Sequence, residues 1–194
     1  MKAISIGLAA LAMSFSAFSQ QIIGVDVATS QAQVRRDENG FSACGVRVLA
    51  LKAEGATSYF YDFSLMFYVE HGRGFSKFGA GKLPTVDVLK GAGGLKTSVP
   101  PPTGFWIARV DQAKAVRPVK YLPAEDAGYT LGFIDGSLAL QAIDDIASGM
   151  MMQFNIRYKE DRFDQVNQFR ASLPPDDAAS YRACLAGIEA RLKE

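Results

Sequence analysis

The stretch YFYDFSLMFYVE, residues 59–70, alternates without a break. Tyr59, Tyr61, Phe63, Leu65, Phe67 and Val69 fall on one side; Phe60, Asp62, Ser64, Met66, Tyr68 and Glu70 fall on the other. A helix returns to one face every ~3.6 residues, so a strict period of two leaves only a β-strand. Its first side is apolar and demands a core, while its second is a partly wet mixture. HGRG at 71–74 is a turn that leads into FSKFGAG, which predicts a hairpin.

A strand of this kind needs neighbours, and the chain supplies them. ENGFSACGVRVLAL (38–51) enters a strand from a turn, and GFWIARV (104–110) and YTLGFI (129–134) read as two more. AVRPVKYL (115–122) reads as a strand that Pro118 confines to an edge. In MMMQFNIRY (150–158), Met150, Met152, Phe154, Ile156 and Tyr158 oppose a polar face, and 162–171 returns as its hairpin partner. Residues 20–40 read as a short apolar start, IIGVDV, and then a polar linker ending in the turn DENG.

Two segments have helical signals instead. Residues 135–149 open on Asp135 and Ser137, which cap, and close on Gly149. Residues 174–194 begin Pro174-Pro175-Asp176-Asp177, with acidic groups at the positive end of the dipole and Arg191 and Lys193 at the negative end. Ala178, Tyr181, Leu185, Ile188 and Leu192 make one apolar stripe along that second helix. Strands with one internal and one terminal helix give an α+β fold: a mostly antiparallel sheet or sandwich with the C-terminal helix packed on it. There is no internal repeat, and residues 20–194 form a single β-rich domain.

Residues 1–19 read as a signal peptide. Lys2 precedes an apolar run from Ala3 to Phe18, and Ala17-Phe18-Ser19 is a small-x-small cleavage pattern. Ser5, Gly7, Ser14 and Ser16 interrupt the run, which is too short for a membrane span. The expected location is periplasmic or secreted, with no transmembrane segment after cleavage.

That location decides how to read the two cysteines, Cys44 and Cys184. An oxidising compartment makes the pair a structural disulfide. Redox motifs hold their cysteines two residues apart, and two Cys with one His are too few for zinc. Neither a metal nor a cofactor is expected.

The basic and acidic totals nearly balance, at 21 and 20, which argues against nucleic acid as a partner. The distribution is uneven, however. Residues 71–120 hold nine basic residues against Asp87 and Asp111, whereas the chain after 120 is acidic. Within this, residues 72–104 carry eight Gly and four Pro and read as a long loop region. Arg73, Lys77, Lys82, Lys90, Lys96 and Trp106 are therefore the candidate residues for an acidic protein or envelope polymer.

Motifs for catalysis are sparse. GFSKFGAGKL and GAGGLKT each break the phosphate-loop pattern, and no nucleophile elbow or zinc-helix motif occurs. His71 is the only histidine and the only general-base candidate, with a carboxylate such as Glu70 nearby in sequence. The leading expectation is a non-catalytic exported protein of inhibitor, immunity or surface-interaction type, binding through 72–104. A small hydrolase using His71 and a structural envelope protein without a specific ligand are the alternatives.

Overall fold

The computed structural model describes residues 22–84, 100–112, 114–160 and 164–193. The leader read at 1–19 lies outside them. Among the described residues, eleven strands form two mostly antiparallel sheets, with one helix inside the chain order and one at its end.

The larger sheet has six strands. In spatial order they are β2 (Val27–Asp37), β3 (Gly40–Glu54), β4 (Thr57–Tyr68), β5 (Arg73–Pro84), β9 (Tyr129–Asp135) and β8 (Lys120–Pro123). Its first four strands form a meander, because each successive pair is joined by a short turn. The smaller sheet runs β1 (Ile22–Gly24), β11 (Gln165–Ser172), β10 (Ser148–Arg157), β6 (Gly104–Arg109) and β7 (Ala115–Val116). Among the described residues, only the β1–β11 pair is parallel.

The alternation at 59–70 works as its period predicts. Tyr61, Phe63, Leu65 and Phe67 are buried in the core, and the hairpin pairs Phe63 with Phe78 across the turn. Aromatic rings join the two sheets. Phe63 lies 5.2 Å from Phe154 and 6.2 Å from Phe105, and Phe78 stacks on Phe105 at 5.4 Å. Phe154 in turn stacks on Phe169 of the neighbouring strand at 4.2 Å. These rings place the core between the sheets, so the second face of the larger sheet points away from it.

Helix α1 (Gly136–Ala147) carries the chain from the larger sheet to the smaller one. Asp135 caps it, accepting hydrogen bonds from the backbone N–H groups of Ser137 at 3.0 Å and Leu138 at 3.4 Å. It buries Ala139, Ala142, Ile143 and Ile146. Gly74 on β5 permits the close approach, since a Cβ there would lie 2.2 Å from the Ala139 methyl. Helix α2 (Pro175–Arg191) lies against β2 and β3 and buries Tyr181, Cys184 and Ile188. Cys184 is disulfide-bonded to Cys44 of β3.

Four expectations need correction. Residues 27–37 form an eleven-residue strand where the sequence suggested a linker. β2 is an edge strand with mostly exposed side chains, so it lacks the apolar alternation that marks a half-buried one. Residues 115–122 are two edge strands, because the chain leaves the smaller sheet at β7 and joins the larger one at β8, with Pro118 between them. Residues 73–84 are strand β5 and no part of a loop. On α2 the buried face is centred on Cys184, and Leu192 is 56% exposed as the C-cap residue.

Candidate functional site

The outward face of the larger sheet can be read from its register. One row runs Gln31, Arg47, Ser64, Lys77 and Leu131 across β2, β3, β4, β5 and β9. The next runs Gln33, Gly45, Met66, Phe75 and Phe133, and the one beyond runs Arg35, Ala43, Tyr68, Arg73 and Asp135. Both described helices pack toward the opposite, core side, on which Cys44, Gly74 and Phe67 lie. An open groove of about 1040 Å³ crosses this outward face, walled on one side by β2 and on the other by Asp126, Ala127 and Tyr129.

The floor of the groove holds an ionic network. Asp62 is only 5% exposed, and Arg47 reaches it diagonally across the strand pair. Arg47 Nε donates to Asp62 Oδ1 at 2.9 Å and Nη2 to Oδ2 at 2.7 Å, a two-pronged fork. Tyr129 completes it from two strands away, its hydroxyl donating to Asp62 Oδ2 at 2.8 Å. Gly79 stands between them in register with both. A Cβ at 79 would meet the Tyr129 ring at 2.5 Å, so the missing side chain is what lets the ring lie across β5. The Lys77 ammonium sits 4.6 Å from the Tyr129 ring centroid and pairs with Asp126 at the groove wall.

Tyrosine ionisation offers a direct check on this packing. Burial first, and then the hydrogen bond to Asp62, push the Tyr129 hydroxyl up to about 12 from its ordinary 10. Burial pushes Tyr61 to about 12 as well. Both folded values lie above the unfolded one, so the stabilisation is complete below pH 10 and is lost as the pH rises toward 12. Tyrosinate absorbance should show these phenols titrating late. Tyr129→Phe should flatten the fall in stability over that window, and an unchanged slope would mean that the ring is not held as described.

The sequence-predicted residues are dispersed. Arg73 and Lys77 are on the outward face of β5, two rows apart. Lys82 has the opposite parity, with its ammonium 5.2 Å from the Tyr59 ring centroid. Lys90 and Lys96 lie outside the described residues. Trp106 belongs to the other sheet and is 7% exposed, with the Arg117 guanidinium 4.1 Å and the Arg157 guanidinium 5.5 Å from its ring. It is therefore covered by cations and not offered as an anchor.

His71 lies exposed in the β4–β5 turn, its ring 5.8 Å from Phe75 and 6.5 Å from Tyr68. No carboxylate hydrogen-bonds to it among the described residues, so the orienting contact that a general base requires is not built there. No group of three or more His, Cys, Asp or Glu among the described residues could hold a metal ion. No described helix is long and apolar enough to cross a membrane.

Arg47, Asp62 and Tyr129, with Gln31 and Gln33, are the site residues that sequence reasoning passed over. One signal was available: Asp62 is the one ionisable carboxylate within β4, set between Tyr61 and Phe63, and a carboxylate there needs a partner. Which partner it finds depends on register.

No family model, curated protein or solved structure matches this chain. The functional reading therefore rests on the geometry of the groove.

Proposed function

We propose that this is an exported, non-catalytic binding protein whose macromolecular partner is acidic and seats in the groove on the outward face of the larger sheet. The Arg47–Asp62–Tyr129 network carries this reading. It is an ionic cluster fixed in place on a face that the two described helices leave open. A protein that needed that face only for stability would gain as much from apolar side chains, which bury without a desolvation cost. Arg47 uses Nε and Nη2 for Asp62, and its Nη1 has no hydrogen bond to another described residue. The fork thus holds one donor edge ready for a ligand. The predicted leader and the disulfide support export.

Hydroxyl-radical footprinting tests the site. With solubilised envelope material present, oxidation of Tyr68 and Phe75 in the groove should fall. Met150 and Met151, exposed on the smaller sheet, should oxidise as before. Protection of the methionines with none at Tyr68 or Phe75 would move the binding face off the groove.

A further inference from the structure

The groove's charges and the hydrogen-bonding groups along its lining narrow the partner further. We infer that it takes a polysaccharide whose sugars carry carboxylates at intervals, an acidic glycan of the uronate type. This rests on the reading of the groove as the binding face.

Charge comes first. Arg35 lines the Tyr68 end of the groove, Arg36 and Arg73 stand on the surface that adjoins it, and none of the three has an ion pair among the described residues; Glu70 is an acid beside them. Asp37 there is already engaged by Arg191. Asp135, in register with Arg73, caps a helix and keeps its negative charge, so the three arginines face Glu70 and Asp135. Deeper in, Arg47 and Lys77 are balanced by Asp62 and Asp126. The face as a whole is left with a surplus of positive charge.

Spacing comes next. Arg35 and Arg73 share a row and are three strands apart, which is about 14 Å. Arg73 and Lys77 are four residues apart on one strand, again about 14 Å, and Arg47 and Lys77 are two strands apart, about 10 Å. A nucleic-acid strand carries a charge every ~3.4 Å, too dense for cations set so widely. Single carboxylates separated by neutral sugars suit this spacing.

The lining mixes polar groups with half-buried apolar ones. A protein–protein interface has an apolar core. Of the large hydrophobic residues that are well exposed, only Val34, at 37%, lines the groove. Its remaining lining offers Gln31, Gln33, Ser64 and the free edge of Arg47 for hydroxyl groups. The half-buried ring of Phe75 lies in the groove beside Tyr68, whose ring has the Arg35 guanidinium 5.7 Å from its centroid, so an aromatic surface adjoins a cation that a carboxylate would draw away.

The test is a titration of the mature protein with three polymers of equal length: a polyuronate in which uronates alternate with neutral sugars, the same polymer with its carboxyls reduced to alcohols, and poly-glutamate. The polyuronate should bind, with affinity falling as salt rises. Arg35→Ala and Arg73→Ala, both at exposed positions, should each weaken it roughly tenfold, the loss of one charge-assisted hydrogen bond. The reduced polymer should not bind. Poly-glutamate binding in preference to polyuronate, with the same arginine dependence, would overturn the glycan and leave the groove standing. Polyuronate binding that neither arginine variant alters, or no polyuronate binding at all, would also overturn the inference. The footprint of Tyr68 and Phe75 with envelope material then judges the groove separately.

Discussion

Alanine at both Cys44 and Cys184 should lower the unfolding midpoint by roughly 8–20 °C. The bond closes a loop with a sequence separation of 140. In the chain-entropy account, such a closure stabilises by about 4–5 kcal/mol, and in a chain of this size each kcal/mol moves the midpoint by ~2–4 °C. The location makes the fold depend on it. Helix α2 begins at Pro175 with no side-chain hydrogen bond at its N-cap, Pro174, and it buries only three side chains: Tyr181, Cys184 and Ile188. Its other fastening is at the far end, where Arg191 Nη1 donates to the Phe41 carbonyl at 2.7 Å and to Asp37. Losing the bond should therefore release the first two turns of α2 before the sandwich melts. Thermal unfolding of the double variant, and of the unaltered protein in reductant, checks this. A shift of less than about 3 °C in both would show that packing alone holds the helix.

What the sequence discloses about this fold follows from which faces are dry. β4 is legible because its core side is unbroken, and Phe63 and Phe154 meet where two alternating patterns require a shared interior. The disulfide is legible because two cysteines in a chain that reads as exported have one obvious use. β2 is not, since an edge strand with exposed side chains has no pattern to read. The glycines of 73–84 mislead for a related reason. Glycine at 74 and 79 serves close approach, by α1 in one case and by the Tyr129 ring in the other, and composition cannot separate that from a loop. The groove suffers most. Its residues come from five strands, and only the register sets Arg47 diagonal to Asp62 or aligns Gly79 beneath Tyr129.

That register also explains why charge counted along the chain pointed to different residues from charge counted on the surface. Residues 71–120 are basic in sequence, but β5 sends Lys77 and Lys82 to opposite sides, and Trp106 departs to the second sheet. Arg35 and Arg47, from outside that basic run, line the same groove as Lys77 instead. A binding face on a sheet is assembled across strands, so its electrostatics belong to rows and not to runs.

Arg47→Ala should destabilise the protein by about 2–3 kcal/mol and should cost more than Asp62→Ala. Removing one partner of a fully buried pair costs ~3–5 kcal/mol, and the Arg47 side chain is 38% exposed, so solvent recovers part of that loss. The asymmetry comes from burial. Without Arg47, the Asp62 carboxylate remains in the sheet at 5% exposure with only the Tyr129 hydroxyl to satisfy it. Without Asp62, the guanidinium can turn to water and the half-buried Tyr129 can do the same. The double variant Arg47→Ala/Asp62→Ala should accordingly be more stable than Arg47→Ala alone, because it no longer strands a carboxylate. Urea unfolding of the three variants measures all of this at once. Equal losses from both single changes, with the double variant at their sum, would mean the two side chains act independently. In that case the pair would organise nothing, and the groove would lose the fixed donor edge on which its reading as a binding site depends.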